Sequence, residues 1–168
     1  RLSQLTKKLK RKFPHNVQGI VADATSQDAI NVIKNKIIKA VAKLDILVAN
    51  VGLSKGIRGL AARAEDWKDL FQANLFGTVE LIRILTPLIR QGGSIIFISS
   101  IAGYAHIGAP IPYAAAKAGI TVFMKELSLE LATKRIRVNA IAPGNIFFKG
   151  GRWEEILKER PEMIDEYI

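Results

Sequence analysis

Tyr113 and Lys117 stand four residues apart in Tyr113-Ala114-Ala115-Ala116-Lys117. On a helix that spacing puts both side chains on one face, one turn from each other. A phenol ionises near about pH 10 in water, and an adjacent ammonium favours the phenolate. Such a pair can give and take a proton near neutral pH. The spacing alone also describes an ordinary surface pair on a helix. The chemistry therefore depends on what the rest of the chain brings beside it.

The elements that must position the pair read as an α/β alternation, with apolar strand-like runs between amphipathic stretches. Helices are expected at 1–12, at 26–42 with Ser26 as the cap, at 64–90 with Pro87 marking the last turn or a kink, and at 112–133 opening on Pro112. Strands are expected at 17–22, 45–49, 94–99 and 135–142. Gln91-Gly92-Gly93 reads as a turn, and Gly150-Gly151 opens a final helical region broken before Pro161. Three strand ends carry polar or turn groups: Asn50, then Ser99 and Ser100, then Pro143-Gly144. In an open parallel sheet, ligands bind beyond the carboxyl ends of strands. Tyr113 and Lys117 begin the helix after the serine loop. Asn74 interrupts the apolar face of the long helix, where an amide needs a partner.

The chain has 168 residues, enough for one domain with a real core. No apolar run reaches the roughly 18 residues of a membrane span. With no cysteine, disulfides and thiolate metal sites are excluded, and no His and carboxylate cluster has metal-ligand spacing. A cytoplasmic location is the default expectation, with no membrane partner. The net charge of +10 raises nucleic-acid binding. The densest basic run, Lys7 to Lys12, reads instead as the wet face of a helix whose Leu2, Leu5 and Leu9 form a buried stripe. No nucleic-acid partner is expected.

With these pieces in this order, the chain resembles the short-chain dehydrogenase/reductase family. Leu47-Val48-Ala49-Asn50-Val51-Gly52 is similar to its strand ending in Asn-Asn-Ala-Gly, with departures at Ala49 and Val51. Asn74 matches the helical asparagine. Residues 94–103 match the serine strand, with Ser100 in the catalytic place and Tyr113 at the usual interval. Arg137 to Gly144 matches the strand that closes over nicotinamide, and Asp23-Ala24-Thr25 the aspartate that contacts adenine. The resemblance implies a Rossmann-like, doubly wound parallel sheet and an NAD- or NADP-dependent oxidoreductase acting on a small alcohol or carbonyl compound. Tyr113 would exchange a proton with the substrate oxygen. Lys117 would favour the phenolate and hold the nicotinamide ribose. Ser100 would steady the substrate oxygen, and Asn74 would hold a water in a proton relay. Asp23, Asn50, Gly52, Tyr113, Lys117, Pro143 and Gly144 would face the cofactor. Ser100, His106, Asn145 and Trp153 would face the substrate. Pairing of copies through the 64–90 and 112–133 helices is implied, as a dimer or tetramer.

The family's glycine-rich phosphate turn has no counterpart here. Gly52, Gly56 and Gly59 stand at the wrong intervals and follow the wrong strand. The 1–12 helix corresponds to the one after the family's second strand. The expectation is a partial domain over 1–168, lacking the first two strands and the last, with about 40–50 residues before Arg1 and a similar length after Ile168. Residues 145–168 read as a substrate-covering lid, with Trp153, Ile156, Leu157 and Met163 on its apolar side. Pro143-Gly144-Asn145-Ile146-Phe147-Phe148 departs from the family, which commonly has Thr after the Pro-Gly pair, and Phe147 and Phe148 read as an apolar wall or as a changed hold on the cofactor. Without the phosphate turn, catalytic activity is not assured for this partial chain, the alternative being a non-catalytic chain that keeps the fold for assembly or binding.

Overall fold

In the computed structural model, residues 2–54, 56–57, 59–159 and 161 are described. The expected Met163 contact of the lid lies outside them. Three parallel strands form one sheet in the order β1-β2-β3: β1 (Leu44–Ala49), β2 (Ile89–Ile98) and β3 (Arg137–Ile141). Helices α1 (Leu2–Lys12) and α2 (Gln27–Val41) precede the sheet. α3 (Ala64–Phe71) and α4 (Gly77–Leu85) lie between β1 and β2. α5 (Ile111–Ala132) lies between β2 and β3, and α6 (Arg152–Glu159) follows β3. Each crossover carries helix, as parallel pairing requires.

Alternation along the strands sorts two faces of the sheet. Ala49, Ile95, Phe97 and Val138 are buried, packed with Ile30 of α2, Leu81, Ile82 and Leu85 of α4, and Ile120, Leu127 and Leu131 of α5. Phe97 meets Phe123 edge to face, with ring centroids 5.8 Å apart. The opposite face leaves Ile46, Val48 and Ile141 more than half exposed.

Several sequence expectations need correction. Residues 17–22 are irregular backbone, not a strand, and Val21 is exposed. A strand exists only where its N–H and C=O groups find a ladder, and β1 is the edge of the described sheet. Leu2, Leu5 and Leu9 are not a buried stripe: no residue of α1 is buried. The 64–90 helix is four pieces ending at Leu88, and Ile89 and Arg90 already belong to β2. Between α3 and α4 the backbone widens into a π-helical segment, Gln72–Phe76, and Pro87 sits in a 3₁₀ turn, Thr86–Leu88. The expected turn at Gln91-Gly92-Gly93 is a bulge inside β2. The register jumps from Leu44 opposite Ile89 to Ile46 opposite Ser94. Gly92 takes a φ of 78°, open to glycine at low cost. An Arg90–Asp45 ion pair at 2.6 Å closes the bulge against β1. Ser26 sits at the α2 N-cap position, but its side chain makes no capping bond.

No helix among the described residues is long and apolar enough to cross a membrane. Gly93 fixes how closely the bulge meets β1, since a Cβ there would lie 2.9 Å from the Arg90 carbonyl oxygen and 3.0 Å from that of Asp45. Gly93→Ala is therefore expected to lower stability by about 1–3 kcal/mol. Urea midpoints test this, and an unchanged midpoint would contradict the close packing.

Candidate active site

The carboxyl ends of the three strands open into one cleft of about 870 Å³. Its lining includes Asn50, Gly52, Asn74, Ser99, Ser100, Tyr113, Lys117, Pro143, Gly144, Asn145 and Trp153. The loops after β2 and β3 stay paired beyond the strands. Ser99 N donates to Ile141 O at 2.8 Å and Ile101 N to Pro143 O at 3.1 Å. This extra pairing holds Ser100 alongside Pro143-Gly144.

Ser100 has extended backbone and caps the 3₁₀ turn Ile101–Gly103. Its Oγ accepts from Ala102 N at 3.2 Å. The hydroxyl proton is left to donate into the cleft. Tyr113 is half-buried in the first turns of α5, and its ring centroid is 5.7 Å from Lys117 Nζ. Its hydroxyl has no protein partner among the described residues. Pro112, in the first turn, costs the helix no hydrogen bond.

Lys117 is 5% exposed, and Nζ donates to Ile98 O at 3.1 Å. No carboxylate pairs with it among the described residues. Burial holds its pKa below the ordinary lysine value of 10.5. Its backbone is equally fixed. Ser99 Oγ and Thr121 Oγ1 both donate to Lys117 O, at 3.2 and 3.3 Å. Gly103 abuts the same peptide, so that a Cβ there would stand 2.8 Å from Lys117 C. A cationic donor with protons to spare, lodged in a cleft wall, makes this cleft the candidate site.

Asn74 is fully buried in the π-helical segment. Its Nδ2 donates to Leu53 O at 2.8 Å and Leu70 O at 3.0 Å, while Oδ1 accepts from Leu53 N at 3.2 Å. The amide thus staples the loop after β1 to the helix. Gly52 lies against it. A Cβ on Gly52 would be 2.6 Å from Asn74 Oδ1 and 3.2 Å from Lys117 Nζ. π segments recur at functional sites, and here the widened turn carries the amide that reaches the loop after β1.

Two sequence-predicted residues stay outside this constellation. His106 is exposed and does not line the cleft, whereas its neighbour Ile107 does. Asp23 is exposed, and its Oδ1 accepts from Thr25 N at 2.9 Å and Thr25 Oγ1 at 2.7 Å. These bonds hold its carboxyl below the usual carboxylate range. The turn docks on the helix through Gln72 Nε2, which donates to Thr25 O at 3.2 Å. Sequence reasoning did not single out Gly103, whose close approach depends on a tertiary contact. It also did not single out Ser54, Ile146 or the cleft-lining Pro110. Phe148 lines the cleft as the expected apolar wall, but Phe147 does not.

The family model for short chain dehydrogenases matches residues 1–150. The chain is 34% identical over 136 residues to the 3-oxoacyl-(acyl-carrier-protein) reductase FabG of Thermotoga maritima, covering 80% of this chain and 55% of that one. It is 30% identical over 156 residues to the L-fucose dehydrogenase of Bos taurus, covering 92% and 57%. The crystal structure of a short-chain dehydrogenase from Streptomyces avermitilis superposes with a TM-score of 0.79 at 28% identity, over 88% of this chain and 55% of that one. The chain spans little more than half the length of these relatives.

Burial of Lys117 carries a pH signature. The folded state gives up this proton more readily than the unfolded state, which then binds more protons, so stability rises with pH as the folded group titrates. The window runs from its lowered folded value up to 10.5. Relative to Lys117→Met, the protein is expected to gain stability as the pH is raised toward 10.5, the ordinary lysine value. Urea denaturation of both across that range checks the sign, and a stability difference that does not change with pH would refute it.

Proposed function

The chain belongs to the short-chain dehydrogenase/reductase family, and from that premise we propose that it carries the reaction centre of an NAD(P)-dependent oxidoreductase for alcohols or carbonyl compounds. The observation that carries this reading is the meeting of Ser100, Tyr113 and Lys117 on one cleft, with Lys117 buried and unmatched by a carboxylate among the described residues.

The lining fits the nicotinamide–ribose end of such a cofactor. The Lys117 ammonium has donors left for ribose hydroxyls beyond its bond to Ile98 O. Gly52 keeps the wall beside Lys117 and Asn74 free of a side chain. Asn50, Pro143 and Gly144 extend the same wall, and Asp23 is proposed for the adenine end. Nothing in the lining distinguishes NAD from NADP. A bound nicotinamide supplies the hydride to a carbonyl carbon, or takes it from the alcohol carbon in reverse.

The chain's own groups handle the oxygen. Tyr113 Oη gives its proton to the carbonyl oxygen on reduction and takes it back on oxidation. Ser100 Oγ–H donates to the same oxygen as negative charge develops there. Lys117 sits against the Tyr113 ring, where its positive charge favours the phenolate during that exchange. Asn74 holds Gly52-Leu53 in place, and the remaining lone pair of its Oδ1 can accept from a relay water next to Lys117. Asn145 and Trp153 border the substrate, with 145–168 as a lid over a single domain.

Copies are proposed to associate through α3–α4 and α5. Val122 and Leu129, seven apart on α5, are 61% and 73% exposed, and Phe76 is 54% exposed. Sedimentation is expected to give a dimer or tetramer, and a monomer at concentrations well above the micromolar range would sink that assembly.

Tyr113→Phe keeps the ring over Lys117 and removes the proton. It is expected to lower kcat for carbonyl reduction by about 10²–10⁴-fold, with nicotinamide affinity little changed by calorimetry. Turnover at the wild-type rate would overturn the assigned role.

A further inference from the structure

Resting on the oxidoreductase reading above, we propose a substrate class for this site: an uncharged ketone or secondary alcohol whose body is alkyl or aryl. Sugars and oxo-acids are excluded from it. The cleft is divided by chemistry. The strand ends bring Ser100, Tyr113 and Lys117, which serve the reacting oxygen and the cofactor. The segment after β3, the start of α6 and the loop before α5 bring Ile107, Ile146, Phe148, Trp153 and Ile156.

Lys117 is the single charged side chain in the lining among the described residues. It is placed at the reacting end and already bonded to Ile98 O. A carboxylate on the substrate body would lose hydration against the apolar wall, where the described residues place no cation to replace it. A polyol would bring several hydroxyls to the apolar side, where Asn145 and Ser54 answer few of them, while Asn50, Asn74, Ser99, Ser100 and Tyr113 lie at the strand-end side.

The wall is built rather than accidental. Trp153 and Ile156 stand three apart on one face of α6. Of the two acidic residues between them, Glu155 is exposed and Glu154 is drawn back to its own element: its Oε2 accepts from Gly150 N at 2.7 Å, and its Oε1 pairs with Lys158 Nζ at 3.5 Å. Gly151 seats the Phe148 ring, since a Cβ there would lie 2.7 Å from ring atom Cε1, and Gly151 N donates to Phe148 O at 2.9 Å. Ile146 and Phe148 remain 57% and 47% exposed, so an apolar ligand would remove that surface from water.

The test uses the protein as isolated, with nicotinamide absorbance and three carbonyl probes: 2-octanone, 7-oxooctanoate of the same carbon length, and fructose. The expected result is a kcat/KM for 2-octanone at least about tenfold above both others. Phe148→Asp is expected to lower the 2-octanone value by about tenfold or more and to narrow its advantage over the rivals, with nicotinamide affinity unchanged. Should that variant fail to fold, Ile156→Ser carries the same comparison. A second readout needs no turnover: in a Trp67→Phe background, 2-octanone is expected to alter Trp153 fluorescence and 7-oxooctanoate to leave it unchanged. Turnover that favours 7-oxooctanoate or fructose overturns the substrate class and leaves the oxidoreductase reading standing. Absence of nicotinamide binding and of all turnover overturns that reading, and the substrate class with it.

Discussion

A lysine side chain buried with no carboxylate beside it among the described residues is the constraint around which this molecule is arranged. Desolvating an ammonium is costly unless something answers its charge. Here the answer is a carbonyl at the end of β2 and the face of a tyrosine ring. Both must be held still, and the neighbouring packing does so. Ser99 and Thr121 bond the Lys117 carbonyl, and Gly103 lets the serine loop close directly onto its peptide. The depressed pKa of the lysine follows from the same burial that fixes its position. Stability is spent at one point to set a charge beside a proton donor, as functional sites commonly do.

The second fixed point is the amide of Asn74. A buried asparagine on an otherwise apolar helix face would be a liability if its donors and acceptor were left unmade. The π-helical widening at Gln72–Phe76 carries it, and its side chain bonds both backbone groups of Leu53 and the carbonyl of Leu70. The loop after β1 is thereby joined to the helix layer. Gly52 can then lie against both Asn74 and Lys117. The strand-end loops are thus all tied down: β1's to the helix layer through Asn74, β2's to α5 through Ser99 Oγ, and β3's to β2's through the continued pairing of Ile101 N with Pro143 O.

How much of this was legible depended on the range of the interaction. The Tyr113–Lys117 pair was readable because helical spacing is local. Ser100 and Asn50 were readable because a buried apolar run that stops at a polar residue marks a strand end. Asn74 was readable as a polar residue out of place, although its partners were not. The bulge at Gly92-Gly93 read as a turn, since glycine pairs serve both and only the ion pair with Asp45 and the register across β1 separate them. The apolar run at 17–22 read as a strand because its composition fits one, but pairing needs a neighbour that composition does not supply. The leucines of α1 read as a buried stripe for the same reason: amphipathic spacing states what a helix can cover and not what covers it. His106 and Ile107 are adjacent in the loop, and only the loop's path decides which one meets the cleft.

The sequence by itself therefore determined the α/β alternation, the order of the polar strand ends, and the residue types able to move a proton, because each follows from spacing within a single element or from a short motif. Tertiary structure alone decided that Lys117 is desolvated, that Asn74 spends its amide on a neighbouring loop, and that the cleft has a polar end and an apolar side. Those properties arise between segments far apart in the chain, where close packing and the satisfaction of buried polar groups select one arrangement from the many that local preference permits.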